Sequence, residues 1–444
     1  MSRFDLVIFG ATGFTGTYIL ERLITSPYYQ DVSFAVAGRN ESKVREVLRV
    51  VEKKTGRDLK EVKVILADVA DIESLEKMAK RARVVINAVG PYTLYGEAVV
   101  RAAILNGASH LDISGEQTWI EKMEEKYSKL AEDAGVYVVS ACGWDSIPAD
   151  LGVKFLKNNF DGDLNHVETF VEMKSGSSGY SLNTGTYNSL LLGVKSFPFD
   201  LMKPKTDVSV VKGKITPKFR LPLSQIPGIP GPQSYAIPFM GSDKSIIDRS
   251  QIYEATQKSI KPCHVATYAK LSSRISAILI GAWLAVISIL VHIPWTLRFL
   301  QNHPDLCSFN VFKKDGPSEE QIREASFVLW LFGYGYTKEK LGFEHQGEPT
   351  KMVLATCKGP DAGYVSTSGC ILSAALVLLK DVDSLPERML LLHVSCFISD
   401  TIFGAFIIPV IFLPYYCGYS MGVLNYFGIP MWIQIYFGIT TSTS

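Results

Sequence analysis

Phe4-Asp5-Leu6-Val7-Ile8-Phe9-Gly10-Ala11-Thr12-Gly13-Phe14-Thr15-Gly16 opens the chain, and its reading decides the fold. The apolar run 6–9 has the pattern of a buried parallel strand. Three glycines follow at a spacing of three, and a helical period then starts with Tyr18, Ile19, Leu20, Leu23 and Ile24. Strand, glycine turn and helix start are the context that a dinucleotide-binding loop requires. Gly10 permits the tight turn, Gly13 lets the backbone approach a pyrophosphate, and Gly16 lets the helix sit close on the strand. Free N–H groups at the helix start attract phosphate charge. The spacing is G-x-x-G-x-x-G rather than G-x-G-x-x-G. A plain tight turn is the competing reading of the glycines alone; their place directly after a strand favours the nucleotide.

Strands and helices then alternate. Residues 32–39 form a second strand ending in Gly38-Arg39, with Lys43 four positions on. An acid usually stands there to bind the ribose of NAD. A guanidinium suits a 2′-phosphate instead, so NADP(H) is favoured over NAD(H), against the alternative of a solvated surface arginine. A helix over 44–54 and a strand over 62–68 follow, the strand ending in Asp68 beside the adenine end of a cofactor. Residues 72–80 are helical in period, 84–90 a fourth strand, and Gly90-Pro91-Tyr92 a turn at the carboxyl edge of the sheet. Helix 95–106, strand 109–116, helix 119–134 and strand 136–140 complete a doubly wound parallel sheet over residues 1–150.

At 444 residues there is room for two or three domains. The net charge of +1 without a basic block excludes a nucleic-acid surface. The seven cysteines form no C-x-x-C pair and no metal-ligand spacing, so they read as reduced thiols with no metal site. A first strand at residue 4 leaves no room for a cleaved signal peptide. Asn40-Glu41-Ser42 then matches a glycosylation pattern by chance.

Gly10-Ala11-Thr12-Gly13-Phe14-Thr15-Gly16, Ala37-Gly38-Arg39, Asn87-Ala88-Val89-Gly90-Pro91-Tyr92, Asp112-Ile113-Ser114-Gly115-Glu116 and Gly143-Trp144-Asp145-Ser146-Ile147-Pro148 occur together and in this order. The series resembles the saccharopine dehydrogenase-like oxidoreductases of animals, relatives of saccharopine reductase, continuously from residue 1 to about 380. The resemblance implies an NADP-type Rossmann domain followed by a second α/β domain on a mostly antiparallel sheet. It implies a cofactor set of Gly10, Ala11, Thr12, Gly13, Phe14, Thr15, Gly16, Gly38, Arg39, Asp68, Asn87, Val89, Gly90 and Tyr92. It also implies association with lipid droplets, mitochondria or other intracellular membranes, the cofactor domain facing the cytosol, with links to glycolipid biosynthesis and to a homodimer.

The second domain occupies residues 151–385. Residues 167–173 alternate like a half-exposed strand, Gly185-Thr186 precedes an apolar helix over 188–195, and 204–233 is a proline- and lysine-rich loop region. Residues 327–336 and 351–357 read as strands and 371–379 as an apolar helix. The stretch 275–297 contains no Lys, Arg, Asp or Glu between Arg274 and Arg298. A spanning helix needs about 20 apolar residues, so this segment suits a span, a one-leaflet hairpin or interfacial helix, or a lid on the second domain. After Asp400 no charged residue occurs. The family closes instead with a glycine-rich Thr-Pro-Gly segment and an amphipathic helix, so the tail 386–444 reads as a membrane hairpin or, preferably, as translation of a mispredicted or retained intron.

Candidate proton donors at the sheet's carboxyl edge are Tyr92, Tyr95, Asp112, Glu116, Cys142 and Asp145. Each has a bland alternative. Asp145-Ser146 suits a helix cap, Cys142 a small buried residue, Asp112 and Glu116 orientation of the loop, and Tyr92 stacking beside the cofactor. Neither Tyr18, Tyr92 nor Tyr95 has a lysine four positions on, which argues against a short-chain Tyr-Lys mechanism. No catalytic residue is assigned. Charged saccharopine needs cationic clamps, and Lys203, Lys205, Lys212, Lys214, Lys218 and Arg220 read as a solvated basic region, so a small lipid-like substrate at a membrane is expected. The competing class is a nucleotide-binding scaffold or sensor without turnover.

Overall fold

The computed structural model describes residues 3–196, 234–337, 345, 347–380 and 385, and the backbone of 436–443. The loop region 204–233 and the tail up to residue 435 lie outside the described residues.

Residues 1–150 form the expected parallel sheet. Its strands β1 (Phe4–Phe9), β2 (Phe34–Gly38), β3 (Lys63–Leu66), β4 (Ala82–Asn87), β5 (Ser109–Asp112) and β6 (Val138–Val139) lie in the order β3-β2-β1-β4-β5-β6. Helices α1 (Phe14–Thr25), α2 (Glu41–Thr55), α3 (Ile72–Lys80), α4 (Tyr92–Leu105) and α5 (Gln117–Ala134) connect them. Strand β1 is apolar throughout because both faces are covered. Leu6 and Ile8 join the core under α1 and α2, while Val7 and Phe9 join the core under α3 and α4. The strand order reverses between the parallel neighbours β1 and β4, and this switch point opens the ligand crevice at the carboxyl edge.

Local chemistry sets the element ends. Asn40 accepts the Lys43 N–H to start α2, and Gly56 at φ +67° ends it. Strand β5 stops at Asp112, short of the expected 116, because the Asp112 and Ser114 side chains accept the N–H groups of Ser114 and Glu116 and turn the chain. Helix α4 begins at Tyr92, not at Tyr95, because the Glu116 carboxylate accepts the N–H groups of both Tyr92 (2.8 Å) and Thr93 (2.7 Å).

The second domain begins with α6 (Ile147–Asn158), β7 (Asp163–Lys174), β8 (Leu182–Asn183), α7 (Thr184–Ser196), β9 (Tyr235–Pro238), α8 (Asp243–Lys258) and β10 (His264–Leu271). It continues with α9 (Arg274–Leu290), α10 (Pro294–Asn302), α11 (Pro304–Cys307), β11 (Phe312–Lys313), α12 (Glu319–Glu324), β12 (Ser326–Tyr336), β13 (Lys351–Pro360), α13 (Thr367–Lys380) and β14 (Tyr436–Thr443). The large sheet runs β14-β13-β12-β7-β10-β9, and every neighbouring pair is antiparallel except β7 with β10. The strand expected to be half-exposed is β7, and it is instead buried from Asp163 to Val171. It is a central strand, with α6 and α8 packed on one face and the aromatic set Phe170, Trp330, Phe332 and Tyr334 on the other. Its alternation comes from buried polar residues such as Asn165 and Glu168, not from a solvated face.

Two apolar helices behave differently. Residues Ala362–Lys380 are long and apolar enough to cross a membrane, yet most of this segment is buried. Helix α13 returns from the second domain to pack on α1, β4 and β5. Helix α9, from the charge-free stretch 275–297, is 17 residues long, and only Ala277 and Ile287 are buried. Its inner side rests on α7, β9 and β10 of the second domain, and its outer side is exposed.

The domains meet at the start of α1. The Phe14 ring lies 4.6 Å from that of Tyr364. Tyr364 stands in the π-helical turn Ala362–Ser366, which Asp361 caps by accepting the N–H groups of Tyr364 and Val365. The Tyr364 hydroxyl accepts the Asn183 N–H at 2.8 Å. Tyr364→Ala is expected to destabilise the protein by about 3–5 kcal/mol in urea unfolding. Tyr364→Phe keeps the ring and should cost only about 1 kcal/mol, the lost hydrogen bond.

Candidate functional site

The glycine loop is shaped by contacts that exclude side chains. Gly10 has φ +90°, and a Cβ there would come within 2.7 Å of Val89 Cγ2. A Cβ on Gly16 would lie 2.1 Å from the Gly10 carbonyl oxygen, so α1 starts against the backbone of the turn. Gly13 is the N-cap, is exposed, and no side chain caps α1. The first N–H groups of the helix therefore have no internal acceptor and face the crevice, where an anion would complete them. Ala11 is buried, Thr12 is exposed, and Thr15 is half-buried. Phe14 turns its ring onto the second domain, beside Tyr18 and Tyr364, so only its backbone remains for a ligand.

Around the loop, Gly38 ends β2 and accepts the Ala67 N–H, which leaves Arg39 exposed at the tip. Asp68, half-buried after β3, accepts the Ala70 N–H. Asn87 is fully buried, and its carbonyl side chain accepts the Val89 N–H at 3.0 Å, which fixes the turn toward Gly90. Gly38, Arg39, Asp68, Asn87, Val89 and Gly90 are thus gathered along one sheet edge with the loop. Tyr92 is placed differently from the sequence expectation of stacking. It is 5% exposed, its ring packs on Trp119 at 5.3 Å, and its hydroxyl donates to the Asn87 carbonyl. It supports the floor of the crevice and presents no free face.

The proposed proton donors are mostly engaged within the protein. Asp112 is fully buried, and its carboxylate accepts from Ser114 N, Ala141 N and Ser140 Oγ. Burial pushes its pKa up to about 6 against those hydrogen bonds. The same contacts hold Ala141 at φ +59°, a conformation that costs a non-glycine residue about 1–2 kcal/mol. Neighbouring His110 is driven down to about 3 by burial alone and is neutral. Glu116 caps α4, as above, and also accepts from Ser189 Oγ of α7 at 2.8 Å, tying the two domains together. Cys142 is buried, its thiol raised by desolvation, and it packs as a small apolar residue. Tyr95 is 39% exposed on α4, away from this network.

Asp145 corrects the expectation of a cap. Helix α6 has no side-chain cap at Ser146. Asp145 instead lies between two loops: a Cβ on Gly115 would meet its Oδ2 at 2.8 Å, and one on Gly241 would meet its Oδ1 at 1.9 Å. Its Oδ1 and that of the buried Asp243 have no hydrogen-bond partner. Ser242, next to Asp243, donates to the Asp145 backbone carbonyl, and Ser146 Oγ and Ser242 Oγ are 2.8 Å apart. Burial drives both carboxyls upward, a Ser242 backbone hydrogen bond opposes this at Asp145, and the charges of Asp145 and Asp150 add to it at Asp243. Sequence reading missed Asp243, His110, Ser140 and Ser189. No local motif marks them, and folding brings Asp243 to Asp145 from 98 positions away in the chain. Among the described residues no cluster has the makings of a metal site.

Residues 6–139 match the model of the saccharopine dehydrogenase NADP binding domain. Residues 379–443 match that of the serpentine type 7TM GPCR chemoreceptor Srh. The chain is 56% identical over 398 residues to a Caenorhabditis elegans protein named lipid droplet localized protein, covering 87% of this chain and 92% of that one. It is 39% identical over 397 residues to a Homo sapiens saccharopine dehydrogenase-like oxidoreductase, covering 86% and 90%. Apo saccharopine dehydrogenase (L-Glu forming) from Saccharomyces cerevisiae aligns over 87% of this chain and 93% of that chain, with 15% identity and a TM-score of 0.46.

The raised carboxyls predict the direction of a pH effect. Native Asp145 and Asp243 hold protons that the unfolded chain releases above the ordinary aspartate pKa of about 4. Their stabilising contribution is present below that pH and is lost as pH rises through the native values. Melting temperature should therefore fall between pH 5 and pH 8, and Asp145→Asn combined with Asp243→Asn should flatten that fall.

Proposed function

Since the chain belongs to the family of saccharopine dehydrogenase-like oxidoreductases, with an NADP(H)-binding first domain, we propose that it is an NADP(H)-dependent oxidoreductase working at the lipid-droplet surface on a small lipid-like substrate. The observation that carries this reading is the uncapped start of α1, with its three glycines, beside an exposed Arg39. The backbone of residues 11–16 would hold the pyrophosphate, Arg39 the 2′-phosphate, Asp68 the adenine end, and the turn Asn87–Gly90 the side toward the reacting ring. When bound, the cofactor gives or takes a hydride. The protein's part is to position it, with Asn87, Tyr92 and Glu116 holding the turn. Asp145, raised by burial and with its Oδ1 free of any hydrogen-bond partner, is the proposed acid.

The lipid-droplet location rests on the worm relative's name and on the exposed apolar helix α9. It is preferred here to the mitochondrion and to a spanning topology. The tail 386–444, overlapped by the chemoreceptor match over 379–443, is read as foreign to the oxidoreductase in sequence, although its β14 pairs with β13 at the edge of the large sheet.

A scaffold without turnover remains the second reading, favoured by the internal engagement of Tyr92, Asp112, Glu116 and Cys142. Oxidation of NADPH by lipid aldehydes, ketones or enoyl compounds separates the two: turnover supports the enzyme, and tight binding with none supports the scaffold.

Arg39→Ala tests cofactor choice. A charge-assisted contact is worth about 1.5–3 kcal/mol, so NADPH affinity should drop roughly 10- to 150-fold. NADH affinity should stay unchanged, as read by nicotinamide fluorescence.

A further inference from the structure

Just over half of the exposed large apolar side chains among the described residues lie between Ile275 and Val311. They form one surface. Helix α9 carries Ile275 (70% exposed), Leu279 and Ile289 along one side, and α10 adds Trp295 (72% exposed) and Phe299 one turn apart. Phe309, just past α11, is 82% exposed. The inner side of the same unit is firmly seated. Ile287, Val291, Leu297 and Leu300 pack on Tyr187 and Leu191 of α7, and the Trp283 indole donates to the Cys307 carbonyl at 2.8 Å. The surface is thus a fixed platform and not an unfolded end, and a concentration of exposed apolar side chains of this kind marks an interaction site.

We infer that this platform docks in a single phospholipid leaflet, with α9 to α11 lying in the interface. The inference rests on the lipid-droplet reading above and names the surface and its mode of insertion. Length and packing argue against a span: 17 helical residues extend about 26 Å, short of a hydrocarbon core of about 30 Å, and the inner side is packed on α7. Exposed Arg274 is the first residue of α9, and exposed His292 and Pro294 interrupt the apolar run after it. A droplet is bounded by a monolayer over neutral lipid, so a segment with both ends in water lies in the surface or dips in as a hairpin, and the packing of α9 and α10 on α7 favours the first. Charge fits the same occupant. No Lys, Arg, Asp or Glu interrupts positions 275–297, while Arg274 and Arg298 are exposed at the margins, where phosphate head groups would meet them. Trp295 and Phe299 supply the aromatic side chains that favour the head-group boundary.

The test is flotation of the full chain with triolein droplets coated in phosphatidylcholine and phosphatidylserine. One variant combines Leu279→Glu with Ile289→Glu, and another combines Trp295→Ala with Phe309→Ala. NADPH binding, measured in parallel, reports that each variant is folded, since none of the four residues belongs to the cofactor site. At least tenfold weaker flotation for the Glu pair, a smaller loss for the Ala pair, and unchanged NADPH binding would bear the inference out. Wild-type flotation that persists in both folded variants would overturn it and leave the droplet reading standing on another part of the chain. A wild-type chain that binds NADPH but stays with the aqueous fraction would contradict the droplet reading itself.

Discussion

The contact between the start of α1 and the turn that follows β1 governs the molecule. Gly16 lies so close to the Gly10 carbonyl that any side chain would push the helix away. That closeness points the free N–H groups of α1 into the crevice, and it also brings the Phe14 ring against Tyr364 of the second domain. Cofactor loop and domain interface therefore share one helix end. A sequence that loosened the first would shift the second.

The opposite wall of the crevice is held by buried carboxylates acting as backbone acceptors. Glu116 satisfies the N–H groups that begin α4 and reaches Ser189 of α7, while Asp112 holds Ala141 in a left-handed conformation. Buried charge of this kind is tolerable only when its lone pairs are used. Asp145 and Asp243 follow a different solution: with oxygens left without partners, they retain protons. Within one sheet edge, structural acids and a protonated pair are separated by how many donors each one meets.

Legibility in the sequence followed the range of the interactions. The strand and glycine pattern of residues 4–16 and the period of each helix in the first domain are local, and the parallel sheet was readable from them. Turn ends were less so: β5 stops at Asp112 and α4 starts at Tyr92 because of side-chain acceptors that periodicity does not register. Strand β7 looked half-solvated because its buried positions include polar residues, and only the packing of α6 and α8 shows it to be central. Helix α13 sits on the first domain's sheet although it is separated from it by the whole second domain. At the site, glycines and Arg39 announced themselves by type and spacing. Tyr92 did not: its place in the core follows from Trp119 and the Asn87 carbonyl, which no motif encodes. The partnership of Asp145 with Asp243 is likewise a product of the tertiary fold.

The central claim, that the start of α1 is a working phosphate cradle, is tested most directly by titrating the full chain with NADPH and following nicotinamide fluorescence, alongside a Gly16→Val variant. The account expects one saturable site in the wild type and its loss in the variant, whose added side chain would strike the Gly10 carbonyl. Absence of saturable binding in the folded wild type, or equal binding by the variant, would contradict it.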